Sequence, residues 1–376
     1  MIEIKRVYLN NEEEKNDFLE LMEKCLTPQT SSWLNWKYLE NPCNVSFDNK
    51  PFIFGAYDEE KLIGIRPFML QQVIYKNKKY ITAQPCDTAV DPNYQGRGLF
   101  KKMTLKAIEE AENMNINFFF NFPNANSQPG YLKMGWEILH NKNESFLFDN
   151  FGKLVKSHTN NFMLKTIGNV LSLYFNKKRK IMKKHKINNL NNIKHIHNVD
   201  VNFFDDSFEN LWKIKNFNEI RISREKEYLA WRYSRKNKNY DVVTMNDNNK
   251  LRAYAILCFS DRWKVKELQI VDFNYVNLED IIGLIIYIIK EYEFDLINID
   301  TYTEKDVFNA LKKLGFYERN SNILKTIMPN RNILIRDLKT NNLKNIFNNV
   351  DNWQLRLSDH DVYGGEKWIQ TKVYLS

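Results

Sequence analysis

Apolar and polar positions along the first 150 residues predict alternating helices and strands. An acidic stretch at about residues 11–26 predicts an opening helix, and "FIFGAYDEE" predicts a strand ending in a turn. "KLIGIRPFMLQQVIY" and a further strand then lead to a pair of glycines, Gly96 and Gly98. Beyond them "KKMTLKAIEEAENM" has helical spacing with no breaker, and "INFFFNFPN" is a solid apolar run, expected as a strand buried on both faces. Strand, glycine turn, helix, strand is an α/β unit.

From about residue 151 the texture changes. Acidic residues become sparse, "IGNVLSLYF" offers an apolar helical face, and a basic block "NKKRKIMKKHK" fills residues 176–186. The pattern predicts a solvated helical arm, with peripheral membrane contact through residues 165–186 or a nucleic-acid contact as the alternatives. The most apolar run, "IIGLIIYII" at residues 281–289, is too short for the roughly 20 residues of a spanning helix and is expected to be a buried one.

Residues after 200 echo the first half in order. "WLNWKYLENP" matches "YLAWRYSRKN", aligning Trp36, Lys37 and Tyr38 with Trp231, Arg232 and Tyr233. "YLKMGWE" matches "LKKLGFYE", aligning Gly135 with Gly315 and Trp136 with Phe316, and "KL" turns stand at residues 61 and 250. The order of these features points to a duplication. The resulting division is 1–150, a basic helical linker at 151–200, and a second domain at 201–376.

A length of 376 residues also favours two domains. With 43% hydrophobic and 27% charged residues, the composition is that of a folded globular protein. The net charge of +9 suits acidic small molecules, nucleic acid or an anionic surface equally well. Cys25, Cys43, Cys86 and Cys258 lie far apart without a CxxC pair, which argues against a zinc site or a disulfide framework and leads to an expectation of no metal. The N-terminus has no apolar core of a secretory signal, so the expected location is cytoplasmic, with the inner membrane surface as an added possibility.

The glycine turn carries the chemistry. A glycine loop between strand and helix exposes backbone N–H groups at a positive helix end, a site suited to phosphate. No Walker or dinucleotide glycine pattern is present, because Phe100 and Lys101 stand where further glycines belong.

"VDPNYQGRGLF" resembles the signature V-x-P-x-x-[RQ]-G-x-G-x-[GA] of the GNAT acetyltransferase superfamily, with Gln95, Gly96 and Gly98 in its Gln and Gly places. "NFPNANSQPGYLKMGWE" resembles that family's second segment through Asn124, Tyr131, Gly135 and Trp136, with Ser127 in an Ala place. The resemblance covers roughly residues 50–140. It implies a mixed α/β (α+β) sheet with flanking helices, and with the repeat, two GNAT-like domains in tandem. It also implies acetyl-CoA as acyl donor, held by Val90, Gln95, Gly96, Arg97, Gly98, Leu99, Phe100, Asn124 and Tyr131. Phe100 departs from the pattern and implies a wider loop or a displaced cofactor. The "W-x-W-K-Y-L" opening is similar to GNAT proteins linked to surface polysaccharide synthesis.

Acyl transfer to an amine needs a polarised carbonyl, a protonated leaving thiolate and a neutral amine. The resemblance assigns the Val90 N–H as oxyanion donor and Tyr131 as acid. Asp87, three residues before Val90, is the candidate base or ammonium anchor if the strand is regular. Alternation then puts Cys86 on the opposite face, as a structural residue. His140 is expected to be structural, Trp36 and Trp231 to pack in the core, and Asp359, His360 and Asp361 to form a polar turn.

In the second half Asp272, Glu279 and Asp280 are expected at the matching helix start, and Leu311 matches Tyr131, so that domain is expected not to bind CoA. The leading function is acetyl-CoA-dependent N-acetylation of a small-molecule amine such as an amino sugar, with nucleic acid not expected as a partner. The alternatives are a Fem-type aminoacyl transferase using aminoacyl-tRNA and a non-catalytic CoA-binding interaction protein.

Overall fold

The computed structural model describes residues 1–141, 144–182, 192–214, 218–235, 238–261, 264–301, 304–321, 324, 332–340 and 343–360. In chain order the first half forms β1 (Ile2–Arg6), α1 (Glu12–Cys25), α2 (Ser31–Leu34), β2 (Phe52–Asp58), β3 (Lys61–Tyr75), β4 (Lys78–Pro85), β5 (Ala89–Val90) and α3 (Leu99–Asn113). It continues with β6 (Ile116–Asn121), α4 (Gln128–Lys133), β7 (Glu137–Asn141), β8 (Glu144–Phe148), α5 (Phe151–His158) and α6 (Phe162–Met182). The second half forms β9 (Ile193–Ile196), α7 (Asp206–Ile214), β10 (Ile220–Ile222), α8 (Lys226–Arg232), β11 (Tyr240–Asp247), β12 (Lys250–Ser260) and β13 (Glu267–Tyr275). It ends with α9 (Leu278–Glu291), β14 (Leu296–Asp300), α10 (Lys305–Lys313), β15 (Tyr317–Glu318), β16 (Asn332–Asp337) and β17 (Trp353–Gln354).

Local chemistry accounts for several boundaries. The Asn11 side chain accepts from the Glu14 N–H, and Glu12, Glu13 and Glu14 complement the positive end of α1. α1 then buries Phe18, Leu21 and Met22 on one face. The β11–β12 hairpin turns at Asn248 and Asn249, both at positive φ, where asparagine is tolerated. β6 is buried throughout: Phe118 and Phe120 enter the cluster that holds Phe18 and Tyr38, while Phe119 enters the one beneath α3 and α4.

The mixed α/β class expected from the sequence is observed as two sheets. One has the path β1-β2-β3-β4-β6-β16-β7, with β5 and β10 added against β3; the other runs β15-β8-β14-β13-β12-β11-β9. Read from opposite ends, the two paths match strand for strand. In each, one long hairpin strand is followed by a parallel pair: β4 beside β6, and β13 beside β14.

Sheet membership crosses the expected divisions at residues 150 and 200. β8 leaves the first half to pair with β14 and β15, and β16 leaves the second half to lie between β6 and β7. β9, inside the expected linker, is the outer strand of the second sheet. The linker's remaining described residues form α5 and α6. Residues 183–186 of the basic block and the side chains of residues 176–182 lie outside the described ones, as does Asp361.

The echoed segments meet each other. Trp36 and Trp231 stack with centroids 5.5 Å apart. Each indole N–H donates to the other's backbone carbonyl, Trp36 Nε1 to Trp231 O at 2.7 Å and Trp231 Nε1 to Trp36 O at 2.6 Å. Gly135 and Gly315 have φ of 87° and 88°, and Trp136 N and Phe316 N donate to Tyr131 O and Leu311 O respectively. Both Trp residues are buried, as the core reading required.

Candidate active site

β4 and β6 pair in parallel at Ile81↔Ile116, Thr82↔Phe118 and Ala83↔Phe119, and no further. Beyond Ala83, β4 continues to Pro85 while Asn121 at the end of β6 pairs only with Leu334 of β16. The two strands therefore diverge. Alternation places Asn121 on the same face as Phe119, toward α3 and α4, and its buried Oδ1 has no hydrogen-bond partner. A buried amide oxygen of this kind suits an N–H donor from a ligand.

The strand that bears Asp87 is not regular. The register is Phe68↔Pro85 in β4 but Ile65↔Ala89 in β5, so three steps on β3 face four on the other strand. This extra residue is a bulge, and Asp87 sits in it at φ 41°. The bulge overturns the expected opposition of Cys86 and Asp87. Tyr38 Oη donates to Asp87 Oδ2 and also lies 3.4 Å from Cys86 Sγ, so both side chains reach one hydroxyl. The fully buried Lys37 Nζ donates to Asp87 Oδ2 at 2.5 Å. Burial, followed by the neighbouring Asp87 and Cys86, holds the Tyr38 phenol well above its ordinary range, so it acts as a donor.

β5 presents Val90 to the divergence. Asp91 N donates to Ile63 O at 2.9 Å, and the register Gly64↔Val90 then makes Val90 a non-bonded pair with β3. Its N–H and C=O point away from β3. The carbonyl accepts from Gln95 Nε2 at 3.1 Å and from Cys25 Sγ at 3.4 Å. Burial first, then the adjacent Asp91, pushes the Cys25 thiol up, so it stays a thiol donor.

The glycine loop follows. Asp91 caps its opening turn by accepting from Asn93 N at 3.0 Å and pairs with Lys24 at 2.7 Å. Gly96 and Gly98 both adopt left-handed φ, 75° and 72°, which glycine takes at no steric cost. Gly98 caps α3 without a side-chain hydrogen bond. Among the described residues, no protein acceptor takes the backbone N–H groups of Gly96 through Lys101. The result is a cradle of unsatisfied donors at a helix N-terminus. Arg97 stands exposed beside it over the Tyr94 ring. Leu99, by contrast, is buried in the core beneath α3.

Phe100 stands at the start of α3. Its ring turns inward, edge-on to Tyr131 with centroids 5.6 Å apart, and a Cβ at Gly130 would meet it at 3.0 Å. Gly130 thus makes room for the bulk at position 100. Asn124 is engaged by its own turn, its Oδ1 accepting from Ser127 N at 2.8 Å and Asn126 N at 3.1 Å. It therefore sets the entry to α4.

Tyr131 is buried on α4, and its hydroxyl accepts from Arg66 Nη2 at 2.8 Å. Arg66, on β3, also donates to Thr104 Oγ1 at 3.0 Å and to Thr88 Oγ1. Among the described residues no carboxylate pairs with this buried guanidinium. Sequence reading missed Arg66, as it missed Lys37 and Tyr38 as partners of Asp87. His140 lies on β7, paired with Ile333, and takes no part.

The second sheet shares the bulge but, among the described residues, has no glycine loop at its matching helix start. Asp272 is not at a helix start but inside β13, where Arg224 Nε donates to it at 2.6 Å and Tyr233 Oη at 2.9 Å. A bulge falls there too, between Leu257↔Ile270 and Ile256↔Asp272, so Tyr233–Asp272 matches Tyr38–Asp87. The α9 N-terminus is closed by its own capping box, Asp280 accepting from Asn277 N at 3.1 Å. Arg356 bonds Phe273 O on β13 and pairs with Glu304 ahead of α10, bridging the interval that corresponds to Val90 and Tyr131. Asp359 ends a short 3-10 turn, Leu357–Asp359, as the polar-turn reading expected, but it is buried and paired with Arg224. His360 stacks on Phe122, just beyond β6, at 4.4 Å between centroids.

Residues 6–139 match the model of an acetyltransferase (GNAT) domain. Several solved structures share the fold of the whole chain. A conserved protein of unknown function from Enterococcus faecalis V583, described as a probable N-acyltransferase, is 13% identical with a TM-score of 0.62, covering 91% of this chain and 74% of its own. A GCN5-related N-acetyltransferase from Anabaena variabilis ATCC 29413 is 11% identical with a TM-score of 0.57, covering 90% and 73%. One from Kribbella flavida is 10% identical with a TM-score of 0.54, covering 90% and 72%. No curated protein matches the chain. The fold is that of GNAT proteins, and the divergent strands and glycine cradle lie within the matched domain.

Proposed function

We propose that the first sheet of this GNAT-fold chain transfers an acetyl group from acetyl-CoA to a small-molecule amine, with an amino sugar of a surface glycan as the first acceptor class to test. The observation that carries the reading is the row of unsatisfied N–H groups from Gly96 to Lys101, which opens a helix N-terminus without a carboxylate cap, in contrast to α9 with its Asp280 cap. Acetyl-CoA would supply the activated thioester and a pyrophosphate for this cradle. The cradle fits it: the space around Gly96 and Gly98 is open, and the Asn121 oxygen is placed to accept from a donor on the ligand.

Each residue then has a task. The Val90 N–H, facing away from β3, donates to developing negative charge on the carbonyl oxygen. Tyr131 gives its proton to the departing sulfur, and the Arg66 guanidinium beside its oxygen stabilises the charge left there. Asp87, held by Lys37 and Tyr38 through Oδ2, keeps Oδ1 for the acceptor ammonium or its proton. α6 adds a location. Met163, Ile167, Val170, Leu173 and Tyr174 are exposed along it, and such a face suits the surface of an anionic membrane.

The test is calorimetric titration of acetyl-CoA into wild type and Gly98→Asp. Binding lost in the variant supports the cradle. Absence of binding to wild type, with a mobility shift on tRNA at moderate salt, would turn the reading to aminoacyl transfer. On an accepted amine, Tyr131→Phe is expected to lose roughly 100-fold or more in turnover with binding kept. Equal turnover would remove Tyr131 as the acid.

A further inference from the structure

A second constellation lies on the outer edge of the other sheet. The sequence there reads "KHIH" at residues 194–197, and β9 pairs with β11 through His195↔Val243 and Ile196↔Val242. Alternation puts His195 and His197 on one face, with Asp241 across from His197. His195 Nε2 lies 3.2 Å and His197 Nδ1 2.9 Å from the same oxygen, Asp241 Oδ2, and one ligand atom from each of the three residues falls within 4.8 Å of the others.

That oxygen is oversubscribed. Tyr292 Oη also donates to Asp241 Oδ2, at 2.9 Å, and contacts His195 Nε2. If both facing imidazole nitrogens carry protons, three donors crowd one carboxylate oxygen while Tyr292 and His195 present hydrogens to each other. If both are unprotonated, two lone pairs face a carboxylate with one hydroxyl proton among them. A mixed tautomer, with His197 donating to Asp241 and His195 facing the Tyr292 hydroxyl, satisfies the cluster without an ion, whereas a cation at the centre satisfies the arrangement in which both nitrogens are unprotonated.

We propose that His195, His197 and Asp241 form a binding site for a divalent transition-metal ion of the zinc type. Tetrahedral zinc with nitrogen and oxygen ligands at 2.0–2.2 Å places donors about 3.3 Å apart. The separations of 2.9 and 3.2 Å need only a small outward movement to admit the ion. Two imidazoles and one carboxylate select zinc, nickel or copper over magnesium and calcium, which take oxygen. Tyr292 Oη donates to Asp241 Oδ2 and so orients the carboxylate. His197 is exposed, so an ion reaches the site from solvent and keeps a fourth position for water. The bound ion would pin β9, which follows the basic arm, to its neighbour β11. Nothing here depends on the acetyl-transfer reading.

The test uses the full chain without an affinity tag, stripped with a chelator and dialysed. Zinc is titrated calorimetrically, and cobalt is followed by absorption. The expected result is one saturable equivalent at micromolar metal, with a tetrahedral cobalt spectrum lacking thiolate charge-transfer bands. His197→Ala, at an exposed position, is expected to weaken binding roughly tenfold or more and to keep the wild-type melting temperature in chelator. No saturable equivalent, a thiolate spectrum, or unchanged affinity in His197→Ala would overturn the proposal and leave a hydrogen-bonded His–Asp cluster. The cobalt spectrum of wild type separates these outcomes without any variant.

Discussion

Lys37 and Asp87 are 50 residues apart in sequence, yet their side chains form one buried ion pair. Removing the fully buried Lys37 leaves the largely buried Asp87 carboxylate with the Tyr38 hydroxyl but no cation, so Lys37→Met is expected to cost about 3 kcal/mol in urea denaturation. Lys37→Met with Asp87→Leu should recover much of that loss, and no recovery would mean that the pair does not act as a unit. Asp91 carries a pH dependence. The Lys24 hydrogen bond and then the Asn93 N–H hold its carboxyl below the usual range, against burial. A lowered folded-state value gives stability that is full above the unfolded value of about 3.9 and is lost as pH falls through the folded one. The fall in urea midpoint between pH 6 and pH 3 should therefore be smaller in Asp91→Asn than in wild type. Gly96, Gly98 and Tyr131 were legible in the sequence because each sits inside a contiguous pattern. Arg66 was not: its partner Tyr131 is 65 residues away, and an arginine inside a strand carries no local sign of what it will meet. Asp87 was legible as a candidate but misplaced, because alternation cannot foresee an inserted residue.

Two helix N-termini divide the labour between the sheets. α3 opens on a glycine loop that leaves its first amides to solvent or ligand, whereas α9 opens on a capping box between Asn277 and Asp280 that puts a carboxylate at its N-terminus. Asp280→Ala is accordingly expected to destabilise the protein by about 0.5–2 kcal/mol without creating acetyl-CoA binding, since Arg356 still occupies the interval beyond β13. Heat of acetyl-CoA binding that appears with this variant in a Gly98→Asp background would contradict that assignment. The acidic residues at 279 and 280 announced the difference in sequence; Asp272 was misread because a bulged strand and a helix start look alike in a short polar stretch. α6 raises the opposite question, an apolar face that no described residue covers. Gly168 lets the helix lie close on Val155, and Phe175 is buried, so Ile167, Val170 and Leu173 are left outward. Changing these three to Ser should leave the melting temperature near wild type and reduce sedimentation with anionic vesicles. Equal sedimentation would assign the face to something other than lipid. Among the described residues no helix is long and apolar enough to cross a membrane, so any such contact lies along the surface.

At the scale of the molecule, exchange of β8 and β16 decides what can fold alone. The duplication was readable because Trp36, Gly135 and Trp136 recur as Trp231, Gly315 and Phe316 in the same order. The exchange was not, because a strand of five or six apolar residues states its pleat but not its sheet. Its consequence is physical: without β16, β6 and β7 lose the strand that hydrogen-bonds both, and Phe118, Phe119 and Phe120 lie on an open edge. The same holds in reverse for β14 and β15 without β8. The contact between Trp36 and Trp231, with its two reciprocal hydrogen bonds, adds a buried seam that neither half can satisfy alone. Residues 1–150 expressed alone are therefore expected to aggregate although they hold the whole glycine cradle, whereas co-expression of 1–190 with 191–376 should yield a soluble pair that restores acetyl-CoA binding. A soluble, cooperatively melting 1–150 fragment that binds acetyl-CoA would show that the acyl-donor site needs only its own half. Without such a fragment, the contribution of the second half of the chain is structural and direct, since it supplies β16, the strand beside β6 that fixes one wall of the opening where β4 and β6 part.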